Sequence, residues 1–95
     1  IIPDKFGINR IFPNPFNPVV NIDYDVLENS LITIRIINIQ GREVEKLYNG
    51  YQTPGFYQLK WNASNYTSGM YFVDMLVHSG EQNIYRDISK IIYLK

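Results

Sequence analysis

The sequence predicts an all-β domain: about seven short strands in a two-sheet Greek-key sandwich, with a barrel as the lesser alternative. Three observations carry this. Apolar and polar side chains alternate over much of the chain, at the period of two of a half-buried strand. Turn residues recur every ~8–12 positions. No stretch holds a helical period; the nearest candidate, Val44 with Leu47 and Tyr48, spans a single turn between Gly41-Arg42 and Asn49-Gly50.

The opening "IIPDK" reads as the end of a linker, so residues 1–10 form a lead-in and residues 11–95 the sandwich, a domain cut from a longer protein. "IFPNPFNP" follows at residues 11–18. Each proline fixes its own φ and pushes the residue before it toward extended geometry. Asn side chains can supply hydrogen bonds that the proline nitrogens cannot. The expected result is a stiff, kinked ribbon along a sheet edge, blunting it against further strands, with Phe16 plugged down on the sandwich.

"VVNIDYDV" alternates cleanly, Val20, Ile22, Tyr24 and Val26 on one face and Asn21, Asp23 and Asp25 on the other. After the turn "LENS", Ile32, Ile34 and Ile36 share a face. Past Ile36 the phase slips, because Asn38 falls inward and Ile37 and Ile39 outward. A bulge or a change of sheet would produce that slip. "QGR" is a turn, with Gly41 able to take positive φ. Residues 43–52 look short and irregular, with Asn49-Gly50 as a tight turn, and Pro54-Gly55 marks another. Tyr57, Leu59 and Trp61 align in one strand, and Tyr71, Val73, Met75 and Val77 in the next. "GEQ" turns into a long last strand whose phase is ambiguous, because Ile88 and Ile92 oppose Ile91 and Tyr93.

Gly69 precedes Tyr71 by two residues at a strand start. That arrangement suits a tyrosine corner, a hydroxyl reaching back to a backbone group a few residues upstream, and with it an immunoglobulin/fibronectin III-like sandwich. Trp61 would then fill the core centre, worth ~3–5 kcal/mol against Ala.

The chain of 95 residues is enough for one domain with a modest core. Nine basic residues balance nine acidic ones, and the basic ones are scattered, so no nucleic-acid footprint is visible. Without cysteine, thiol nucleophiles, thiolate metal sites and disulfides are excluded. His78 has no carboxylate near it in sequence and reads as an edge histidine rather than a general base. No serine sits in a nucleophile elbow, and no phosphate-cradling Gly loop appears. Asp23 and Asp25 share a strand face and could join loop carbonyls around Ca²⁺, but two carboxylates read first as a solvated face. Most aromatics fall on the inward phase and read as core. Phe12, Phe16, Tyr48, Tyr51 and Tyr66 are left for the surface, where aromatics can stack sugars. Neither an enzyme nor a cofactor is expected.

"FPNPFNPVVNIDYDV", "ITIRIINIQGREVEKLYNG", "GFYQLKWNASNYTSGMYFVDMLV" and the terminal "SKIIYLK" occur in that order over about residues 11–95. This ordered set resembles the type A C-terminal sorting domain of the bacterial type IX secretion system. It is also similar to the immunoglobulin-like module of the flagellar hook-capping protein. The resemblance implies a non-catalytic secretion signal that carries an N-terminal cargo, absent from this chain, across the outer membrane to the cell surface or medium. It implies as partners the secretion machinery and a sortase-like peptidase, which in that family often removes the domain. It places recognition in the last strands: Gly69, Tyr71 and Phe72 in "SGMYF", and Lys90, Ile91, Ile92, Leu94 and Lys95 at an end that reads as native. The chain departs from the family where Ser89-Lys90 replaces a common basic pair. The last strand could also pair between copies. The alternative is a structural or accessory sandwich of a larger secreted enzyme or surface assembly; a carbohydrate-binding version of it would use Tyr48, Tyr51 and Tyr66.

Overall fold

A computed structural model describes residues 3–80 and 83–95. Seven strands follow in order: β1 Gly7–Phe12, β2 Val19–Val26, β3 Ser30–Asn38, β4 Glu43–Gln52, β5 Gly55–Asn62, β6 Gly69–Ser79 and β7 Asn83–Tyr93. They form two antiparallel sheets, β1-β2-β5 and β4-β3-β6-β7. The constant-type immunoglobulin arrangement puts the fourth strand beside the fifth. Here it pairs with β3, so the first, second and fifth strands make the three-stranded sheet.

The alternation read from the sequence places the core. Val20, Ile22, Tyr24 and Val26 of β2 face Ile32, Ile34 and Ile36 of β3 and Tyr71, Val73, Met75 and Val77 of β6, all buried. The phase of β7 is settled by its partner: Tyr71 pairs with Ile91 and Gly69 with Tyr93, so Ile91 and Tyr93 point inward while Ile88 stays exposed. Trp61 is the centre of an aromatic group, with ring centroids 5.8 Å from Phe16, 5.5 Å from Tyr66 and 5.3 Å from Tyr71. The tyrosine corner is present, Tyr71 donating its hydroxyl proton to the Thr67 carbonyl at 2.7 Å.

Four expectations are corrected. Residues 7–10, assigned to the lead-in, are the first part of β1; Ile1 and Ile2 lie outside the described residues. Asn49-Gly50 is no turn but lies inside β4, Asn49 opposite Thr33 and Gly50 opposite Ile32. The expected irregularity around Ile36 sits across the ladder from it. β3 stays in register with β6, while β4 carries extra residues at Leu47 and Val44, where pairing shifts between Ile34/Arg35 and Ile36/Ile37. Each bulge resets the inward phase of β4. Val44, Leu47 and Tyr48 therefore all pack on the core at a helix-like spacing without a helix. Asn38, out of phase at the end of β3, caps the following turn: its Oδ1 accepts from Gln40 N at 2.9 Å and Arg42 N at 3.0 Å. Gly41 there has φ 82°, a conformation open to glycine at no steric cost. The turn expected at residues 80–82 falls mostly outside the described residues.

The fourth correction concerns the aromatics. Phe16 is buried, as the plug reading requires and the surface reading does not; Tyr48 and Tyr66 are half-buried against the core. Phe12 is half-exposed beneath the Arg10 guanidinium, 4.0 Å from its ring centre. Only Tyr51 stands well out, at 79% exposure.

Candidate functional site

The two segments singled out from the sequence, at residues 69–72 and 90–95, are neighbouring rows of one hairpin. Gly69 pairs with Tyr93, Met70 with Ile92, Tyr71 with Ile91 and Phe72 with Lys90. Alternation then divides them. Tyr71 and Ile91 are buried in the core, so they shape the hairpin and present nothing outward. Phe72, Lys90 and Ile92 are on the opposite, outer face of the four-stranded sheet, beside Ile37 and Met70. Leu94 and Lys95 are exposed past the end of β7. Gly69 opens β6 with φ 153° and nothing within 4 Å of where a Cβ would stand. Its role is backbone conformation, not close packing.

β7 is the edge strand, and the proline ribbon covers the last part of it. Asn14 donates Nδ2–H to the Lys90 carbonyl at 3.1 Å and accepts from Ile92 N at 3.1 Å. Phe16 N donates to the Ile92 carbonyl at 2.9 Å, and Leu94 N donates to the Phe16 carbonyl at 3.0 Å. The Asn14 amide thus stands in for a peptide group, and Phe16 forms a parallel bridge with Tyr93. Pro13, Pro15 and Pro18 follow cis peptide bonds. The Phe16 ring stacks on Tyr93 at 5.2 Å beneath the ribbon. At the other end of β7, Ile8 N donates to Asp87 Oδ2 at 2.8 Å and Phe6 stacks on Tyr85. Residues 6–16 therefore run beside β7 and fasten it at both ends.

Charges on the outer face centre on Asp74, 1% exposed in mid-β6. Arg35 Nε donates to its Oδ2 at 2.8 Å and Arg86 Nε stands 3.3 Å from its Oδ1, so the carboxylate ties β3 and β7 to β6. The hydrogen bond to Asp74 lifts the Arg35 guanidinium pKa further above its ordinary value. This group has no signature in the sequence, because an acidic residue at an outward position reads as solvated. Glu45 was missed for a similar reason: it turns inward in bulged β4 and accepts from Trp61 Nε1 at 3.1 Å and Tyr66 Oη at 3.0 Å. Burial, then Glu45, raises the Tyr66 pKa.

The other sequence candidates are kept apart. Asp23 is engaged by Arg10 at 3.3 Å and by Gln58 at 2.7 Å. Asp25 is buried, with Asn9 Nδ2 at 3.5 Å. Among the described residues no three His, Asp or Glu side chains gather as metal ligands. His78 lies on the outer face between Leu31 and Ile84. The sugar platform does not form: Tyr51 pairs with outward Leu31 and Tyr48 with inward Ile34, so they face opposite ways, and the Tyr66 hydroxyl is spent on Val44 O and Glu45.

Fold and hairpin together define an immunoglobulin-like sandwich module with β7 as an edge strand and an apolar outer face on its last hairpin. The chain belongs to the secretion system C-terminal sorting domain family, whose model matches residues 10–92. It is a type IX sorting signal, of a family that is not catalytic, and the protein that bears it is exported to the cell surface or the medium. No curated protein and no solved structure matches the chain.

Proposed function

We propose that the secretion machinery reads this domain at the outer face and tip of the β6–β7 hairpin. Phe72, Lys90, Ile92, Leu94 and Lys95 supply the contacts. Gly69, Tyr71 and Ile91 hold the shape. The observation that carries this reading is the pairing of residues 69–72 with 90–93, which joins two distant sequence blocks into one patch. Apolar side chains flanked by lysines suit a partner that offers an apolar seat with carboxylates at its rim. After export, a sortase-like peptidase separates the domain from its cargo, a step taken from the family resemblance. The kinship with hook-capping modules stays at the level of shared motifs.

The experiment fuses residues 1–95 to a reporter in a type IX host. Surface or medium reporter is expected from the intact fusion and none after deletion of residues 86–95. Export unchanged by the deletion rejects the reading.

A further inference from the structure

The ribbon satisfies the Lys90 carbonyl, both edge groups of Ile92 and the Leu94 N–H, and stops there. β6 and β7 pair without a register shift from Ser79↔Asn83 to Gly69↔Tyr93. The same alternation therefore turns N–H and C=O of Ile84, Arg86 and Ile88 away from β6. None of these groups has a hydrogen-bond partner among the described residues. The side chains around them are open, Ile84 at 65% exposure, Ile88 at 51% and Tyr85 at 42%. Natural edges are usually blunted by bulges, prolines or lysines. β4 and β1 carry bulges, and the ribbon covers one end of β7. Residues 84–88 have none of these devices on their backbone; there Phe6 stacks on the Tyr85 ring and Ile8 N bonds the Asp87 carboxylate, side-chain contacts that leave the backbone groups of Ile84, Arg86 and Ile88 untouched.

We propose that Ile84–Ile88 is a strand-addition site, filled by an extended segment of another protein with alternating apolar side chains and a carboxylate opposite Arg86. The Arg86 side chain is 49% exposed. Its Nε stands 3.3 Å from Asp74 Oδ1, and its amino N–H groups make no hydrogen bond to another side chain among the described residues. They are therefore free to take a carboxylate in a paired geometry. A second copy of this chain fits poorly. The only antiparallel two-fold register that opposes all three free residues sets Ile84 against Ile88 and Arg86 against Arg86 of the copy, a like-charge pair that costs stability. Added main-chain hydrogen bonds supply affinity, and the alternating side chains supply choice of partner. The site rests on the sorting function above and adds a second contact to the hairpin tip.

Proline offers a selective test. At residue 88 it removes an outward N–H and leaves the β6 ladder intact, the one position type a sheet edge tolerates. Ile88→Pro is expected to lower reporter export at least tenfold, while Ile88→Thr, which keeps the N–H, exports normally. Ile84→Lys with Ile88→Lys, built on exposed positions, serves if the proline variant is not folded by circular dichroism. It too is expected to lose at least tenfold. Normal export of either folded variant, alongside loss on deleting residues 86–95, overturns strand addition and leaves the sorting role standing. Normal export from the deletion sinks both. In sedimentation the isolated domain is expected to be a monomer; a dimer abolished by Ile88→Pro overturns the choice of a foreign strand.

Discussion

Asn14 lies along the edge of β7 and makes two hydrogen bonds there, to the carbonyl of Lys90 and from the amide of Ile92, each at 3.1 Å. A side-chain amide has the donor and acceptor of a peptide group in one plane, so it can close a ladder where proline cannot donate. Asn14→Ala is expected to cost about 1–2 kcal/mol, two partly exposed hydrogen bonds. Amide exchange should speed up at Ile92 and stay slow at Ile91 and Tyr93, which bond to β6. Asn14→Asp should fall between, because it keeps the acceptor and loses the donor.

Phe16 anchors the ribbon. Its ring is fully buried between Trp61 and Tyr93. Phe16→Ala should cost about 3–5 kcal/mol, and Phe16→Leu less, because it leaves a smaller void. Chemical denaturation of the isolated domain checks both.

Asp74 is a second tie. Removing it strands Arg35 and Arg86, which are exposed enough to regain water in part. Asp74→Ala should therefore cost about 1–3 kcal/mol, below the range for a fully buried pair. Asp74→Leu combined with Arg35→Met should recover much of this, because an apolar replacement of a buried ion pair is often neutral. A double-mutant cycle measures the difference.

Tyr24 gives an alkaline signature. Burial pushes its pKa up to about 12 from 10, against the opposing hydrogen bond to Gln52. The folded state holds the proton that the unfolded state releases, so the contribution is intact below pH 10 and disappears as pH climbs from about 10 to about 12. Tyr24→Phe should be slightly less stable at neutral pH, having lost the bond to Gln52. It should also lose less than the parent over that alkaline window. Denaturant midpoints at a series of pH values check this.

Tyr71→Phe isolates the corner. It deletes the bond to the Thr67 carbonyl and keeps the ring against Trp61, so a loss of about 1 kcal/mol is expected. Thermal unfolding reads it directly.

Much of this architecture was legible because β2, β3 and β6 each bury one face and wet the other, and period two survives wherever that holds. β7 could not be phased, because Ile84, Ile88 and Ile92 make its outer face as apolar as its inner one. β1 was missed because "GINRIF" has no alternation and is held by pairing with β2. The bulges of β4 hid an ordinary edge strand behind a helix-like spacing. At the hairpin, motifs located the right segment, but not which side chains face out, nor that Asn14 and Phe16 hold it. Those contacts join residues more than 70 apart in the chain, and no local pattern reports them.

The fastening of residues 6–16 beside β7 also fixes how the domain responds to force. The two segments run parallel, Ile8 beside Asp87 and Phe16 beside Tyr93. Tension between Pro3 and Lys95 would drag them lengthwise past each other, so the bonds at Asp87, Lys90, Ile92 and Leu94 share the load and yield together instead of peeling one by one. A tether on the cargo side thus loads these bonds in shear, along the very strand that carries the address.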